Sequence, residues 1–181
     1  MNPCLRPFLA LSLAGAAAAA NAHVMLEYQV APAAASYRAA FKIGHGCGNS
    51  PTRQVVVHVP AAMRGARPMP KAGWTLEVTR ETLAQPFTSH GRTVTEDVTR
   101  VTWTAKTRDD MLAAAHYDEF VLVAQTPEQP GTLHWPVQQI CEEGRHDWTE
   151  LPRPGEKPGD RKSPAPALEI LPASGAGSHQ H

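Results

Sequence analysis

The sequence has no run of basic side chains. Its 17 lysines and arginines are matched by 17 aspartates and glutamates among 181 residues, and they form no block. Nucleic acid is therefore not the expected partner, because such partners demand a basic patch or stripe. After the first 22 residues no segment approaches 18 consecutive apolar residues, so the mature chain is expected to be soluble and to lack a membrane helix. Neither G-x-S-x-G nor H-E-x-x-H occurs, and nothing in the sequence points to an enzyme. There is no internal repeat. Cysteine is scarce, at three.

What is present begins at the N-terminus. Arg6 supplies a positive start, Phe8 to Ala20 form an apolar stretch too short to span a bilayer comfortably, and Ala20-Asn21-Ala22 fits an A-x-A cleavage pattern. Residues 1–22 read as a signal peptide, and the product is expected to be periplasmic or secreted. Cleavage after Ala22 makes His23 the first residue; cleavage after Ala20 would leave histidine third. Arg6 is the only charged residue removed, so the mature chain has one basic side chain fewer than its 17 acidic ones. Cys4 departs with the signal. The remaining pair, Cys47 and Cys141, reads most simply as one disulfide in an oxidising compartment, with a thiolate copper or zinc site as the rival.

Short segments rich in Val, Thr and aromatic residues recur between Pro and Gly turn signals. They cover Val24 to Val30, Tyr37 to Ile43, Gln54 to Val59, Trp74 to Arg80, Thr93 to Thr104, Tyr117 to Ala124, Thr132 to Gln139 and His146 to Leu151. Val55, Val57 and Val59 would share one strand face. Only Asp109 to His116 hints at a helical turn. Seven or eight such strands predict an all-β, antiparallel β-sandwich of cupredoxin or immunoglobulin-like type. The expected domain runs from residue 23 to 152. Residues 153–181 form a Pro/Gly-rich tail, expected to be flexible and disordered at its end. Within that tail Ala167 to Leu171 is a possible short edge strand, and His179 and His181 a possible weak metal site.

An N-terminal His23 offers one metal ion two nitrogens, its α-amine and its imidazole Nδ1. Copper(II) prefers nitrogen donors in a tetragonal plane and leads the divalent affinity series, so one Cu(II) per chain is the expected cofactor. Two donors leave positions for others: Glu27, Asp118, Glu119, Glu142, Glu143, His45, His116 and His146 are all candidates, and spacing cannot choose among them. Met63, Met69 and Met111 are scattered, so no methionine-rich copper(I) site is indicated. Trp74, Trp103, Trp135 and Trp148 sit on or beside predicted strands, where core packing is the ordinary role.

Several segments resemble the YcnI-like family of exported copper-binding proteins. They are Ala22-His23-Val24, His45-Gly46-Cys47 with Ser50-Pro51-Thr52, Pro68-Met69-Pro70-Lys71-Ala72-Gly73-Trp74, Tyr117-Asp118-Glu119-Phe120, and Pro136-Val137-Gln138-Gln139-Ile140-Cys141 with Trp148 after it. The resemblance spans His23 to about Pro152. It implies a β-sandwich holding one copper(II) through a monohistidine brace, with His23 giving amine and imidazole, Glu119 an oxygen, and Trp148 beside the metal. Many members of that family end in a membrane helix, whereas this chain ends in a polar, histidine-containing tail. The function expected is copper homeostasis, storage or delivery outside the inner membrane, to a partner such as a periplasmic copper chaperone or an oxidase assembly factor. Two alternatives stand beside it. One is an oxidative copper enzyme of the polysaccharide-monooxygenase kind, which would need His45, His116 or His146 as a second histidine. The other is a structural or adhesive sandwich with incidental metal binding.

Overall fold

The computed structural model describes residues 23–89, 91–153, 155–156 and 160–173. The expected signal peptide (residues 1–22), His179 and His181 lie outside the described residues. The strands are β1 (Met25–Leu26), β2 (Val30–Pro32), β3 (Ser36–Ile43), β4 (Thr52–His58), β5 (Arg64–Pro68), β6 (Trp74–Ser89), β7 (Arg92–Ala105), β8 (Asp118–Gln125), β9 (Gly131–His134), β10 (Val137–Cys141), β11 (Arg145–Trp148) and β12 (Ala167–Leu171). Between β7 and β8 one 3-10 turn, Arg108–Asp110, begins a residue before the expected helical segment. The strands form a four-stranded sheet in the order β1-β3-β8-β5, a five-stranded sheet β11-β10-β4-β7-β6, and a three-stranded sheet β2-β12-β9.

Alternation along the strands decides what is buried. In β3 and β8, Phe41, Ile43, Phe120 and Leu122 are sealed from solvent; from the five-stranded sheet Val55, Val57, Val101, Trp103 and Val137 are equally sealed. Val59 packs partly buried against the same cluster, as the valine alternation predicts. Trp74 and Trp103 meet Phe120 edge-on, at 4.9 and 5.7 Å between ring centroids, and Trp135 meets Phe41 at 5.5 Å. These three tryptophans, like the buried Trp148, belong to the core. A sandwich with apolar inner faces and mostly antiparallel pairing follows directly from this pattern.

The boundaries differ from the sequence reading in instructive places. Val24 to Val30 divides between β1 and β2, which join different sheets, and Thr132 to Gln139 divides at Trp135-Pro136. The β5 strand, Arg-Gly-Ala-Arg-Pro, has too little apolar alternation to read as one. β6 continues past Arg80 and through Pro86 because it is the outer strand of its sheet, and its pairing with β7 is irregular between Thr82 and Phe87. Proline is tolerated on such an edge, where no ladder donor is needed.

The largest correction concerns the C-terminal segment. Residues 153–181 were expected as a flexible tail after Pro152 with at most a short edge strand at Ala167 to Leu171. That strand forms as β12, but as the central strand of its sheet, parallel to β2 and antiparallel to β9. Leu168 and Ile170 are 0% and 2% exposed and join the main core cluster. Five residues of alternation after a polar, proline-rich stretch suffice once two neighbouring strands supply hydrogen bonds. The preceding segment is tied down as well: the Trp135 amide donates to the Pro166 carbonyl at 2.8 Å, and Arg161 pairs with Glu156 at 2.6 Å.

Candidate functional site

β1 is an edge strand of the four-stranded sheet and β11 an edge strand of the five-stranded sheet, and His23, just before β1, lies beside Trp148 of β11. Val24 is buried behind it and Met25 and Leu26 pair with Lys42 and Phe41 of β3, so the chain is anchored immediately after the histidine. The His23 ring stands edge-on to Trp148, with centroids 5.3 Å apart and planes at 71°. Trp148 is 3% exposed whereas His23 remains half-buried. An imidazole with one aromatic wall and a side open to solution can still accept a ligand there.

Trp148 is held by a buried polar residue. Its indole N–H donates to Gln139 Oε1 at 3.4 Å. The Gln139 amide in turn donates to the His45 carbonyl at 2.6 Å and to Thr52 Oγ1 at 2.8 Å. On β11, His146 shares the face of Trp148 and their rings are 5.3 Å apart; His45 follows at 6.1 Å from His146. Four rings, His23, Trp148, His146 and His45, therefore succeed one another at the open side of the sandwich. Burial, then the neighbouring His45, pushes the His146 imidazole below its ordinary value, with Asp147 opposing. Gln139 was the residue hardest to single out from sequence. The signal was a polar residue at an inward position of β10, between buried Val137 and Cys141.

Cys47 and Cys141 form a disulfide, which ties the loop after β3 to the end of β10. Glu119 is engaged by other side chains. It occupies the outward face of β8, aligned with Lys42 and, one strand further, Met25; two strand spacings separate it from β1, roughly 10 Å. There it accepts from Tyr117 Oη at 2.5 Å and pairs with Arg38 at 3.2 Å. The Tyr117 hydroxyl, with help from Arg38, holds this carboxyl below the usual range, and Tyr117 is itself pushed up to about 12 chiefly by the same bond. Glu27 pairs with Lys42 at 2.7 Å, Asp118 with Lys71 at 2.7 Å and Glu142 with Arg108 at 2.9 Å; His116 and Glu143 are exposed. Among the described residues no three His, Cys, Asp or Glu side chains are grouped as a metal cage.

A model of a domain of unknown function, DUF1775, matches residues 23–170. The chain belongs to the DUF1775 family. Its match starts at His23 and runs through β12, so the family domain includes the C-terminal strand. The DUF1775 chain is similar to an uncharacterised protein from Nocardia farcinica whose crystal structure reveals an immunoglobulin-like fold, with a TM-score of 0.62 and 22% identity over 84% of this chain and 99% of that one. That likeness concerns the fold. No curated protein matches the chain. Among the described residues no helix is long and apolar enough to cross a membrane.

Proposed function

We propose that this DUF1775 protein is exported, binds one copper(II) through His23, and serves copper storage or delivery in the periplasm or outside the cell. The observation that carries the reading is the position of His23: half-open to solution, fixed by the adjoining β1 pairing, and walled by buried Trp148. Cleavage after Ala22 frees the α-amine, and amine plus imidazole supply two of the nitrogen donors that copper(II) favours. Water or a carboxylate completes the set. For Glu119 to be that carboxylate it must give up Arg38 and Tyr117, so solvent oxygen is the simpler partner in the resting protein. Copper is cargo here, and open coordination positions suit ligand exchange with a chaperone or oxidase assembly factor.

The test is a copper(II) titration of the secreted, N-terminally sequenced protein, followed by electron paramagnetic resonance. One tight equivalent with a nitrogen-rich tetragonal signal is expected. The signal should disappear in His23→Ala, and affinity should fall at least tenfold when one residue is added before His23, because the amine becomes an amide. Affinity indifferent to both changes would sink the brace and leave a structural sandwich.

A further inference from the structure

His45 is arranged as metal-binding histidines are, and nothing so far accounts for it. Its Nδ1 lies 2.5 Å from the Gly46 carbonyl oxygen. A carbonyl only accepts, so Nδ1 carries the hydrogen and the neutral ring leaves its lone pair on Nε2. That Nε2 is buried and has no hydrogen-bond partner. Donation of the other ring nitrogen to a backbone carbonyl is the usual support for a ligating imidazole, since it sets the tautomer and raises basicity.

The surroundings hold that arrangement in place. Gln139 fixes the His45 carbonyl, and Gly46 is pinned by its amide to the Ala114 carbonyl at 3.2 Å. A side chain at Gly46 would collide with the Ser50 carbonyl, so the carbonyl that orients His45 depends on glycine there. The second imidazole is His146, half-buried on edge strand β11, its ring centroid 6.1 Å from that of His45 with planes at 89°. Two imidazoles joined by one metal ion in a nearly linear bridge have centroids about 6 Å apart, given metal–nitrogen distances of about 2 Å.

We propose that His45 and His146 form a second metal site that takes copper(I) between two imidazole nitrogens. The ion follows from the donor count. Zinc(II) and copper(II) call for about four donors. No third His, Cys, Asp or Glu is grouped with this pair among the described residues, and a monovalent d10 ion is satisfied by two. The site does not depend on the His23 brace: it uses different residues and a different oxidation state, and His146 gives it access from solution. Trp148 lies between the two, touching both His23 and His146.

The experiment is an anaerobic copper(I) titration of the mature protein against a chromogenic copper(I) chelator, with X-ray absorption on the loaded sample. One copper(I) per chain with a two-nitrogen, sulfur-free shell is expected. His146→Ala and His45→Ala should each weaken it at least tenfold, and His23→Ala should leave it within about twofold. Because His45→Ala sits near the disulfide, the unmodified protein provides an independent reading. In nitrogen-15 NMR, silver(I) should shift His45 Nε2 and one nitrogen of His146. Failure to compete for copper(I), a sulfur-containing shell, loss only in His23→Ala, or unmoved His45 and His146 resonances would each overturn the site. The copper(II) signal of the brace is recorded on the same preparations, so either site can fail while the other stands.

Discussion

Gln139 is 1% exposed, and both ends of its amide are engaged. Its oxygen receives the Trp148 indole and its nitrogen holds the His45 carbonyl and Thr52, so one side chain positions rings at both proposed metal sites. Replacement by leucine keeps the volume but orphans those buried partners. Each such group costs about 1–3 kcal/mol when left unsatisfied. Gln139→Leu is therefore expected to lower the urea midpoint and to weaken copper(II) binding through a freer Trp148. A variant as stable as the parent, with an unchanged copper spectrum, would show that these bonds position nothing.

At the scale of elements, β12 joins the C-terminal segment to the rest. Leu168 is fully buried, so Leu168→Ala should cost about 2–5 kcal/mol by chemical denaturation. Glu169, on the exposed side of the same strand, should tolerate alanine within about 0.5 kcal/mol. Equal effects at both positions would contradict the strand's two-faced burial. Its neighbour β9 ends in His134, opposite Ala167, where burial pushes the imidazole below its ordinary value. The unfolded chain then takes up a proton more readily than the folded one. Stability is complete above the unfolded pKa of about 6.5 and declines as pH falls through it toward the lower folded value. His146 acts in the same direction. His134→Gln should flatten part of that decline between about pH 7.5 and pH 5, leaving the share due to His146. An unaltered slope would mean that His134 is not protected from protonation.

For the molecule as a whole, the disulfide closes a loop across a sequence separation of 94, from the loop carrying His45 to the end of β10. Removing it by Cys47→Ala or Cys141→Ala should cost about 2–5 kcal/mol. The copper(II) spectrum should survive, since neither sulfur is a donor in the proposed brace. A large spectral change in folded protein would instead make sulfur part of the metal site. The meeting of His23 with Trp148 is likewise a global feature: the two residues are far apart in sequence, one beside edge strand β1 and the other on edge strand β11 of a different sheet.

Much of this was legible in the sequence, for local reasons. Period-2 alternation such as Val55, Val57 and Val59 reports a strand with one buried face wherever that strand lies, and Cys47 and Cys141, the two cysteines beyond the expected signal peptide, have one obvious partner each. His23 stood out because its position relative to a cleavage pattern is itself a chemical fact. Side-chain neighbourhoods were not legible. That Glu119 pairs with Arg38 depends on strand order and register. β12 could be read only as a short edge strand, because its central place depends on β2 and β9 flanking it. The pairing of His45 with His146 likewise exists only because β10 carries Gln139 between the two loops and their strands. Sequence by itself determined which residues want burial and which cysteines can pair; tertiary structure alone decided which residues meet, because strands bring together residues that the chain separates.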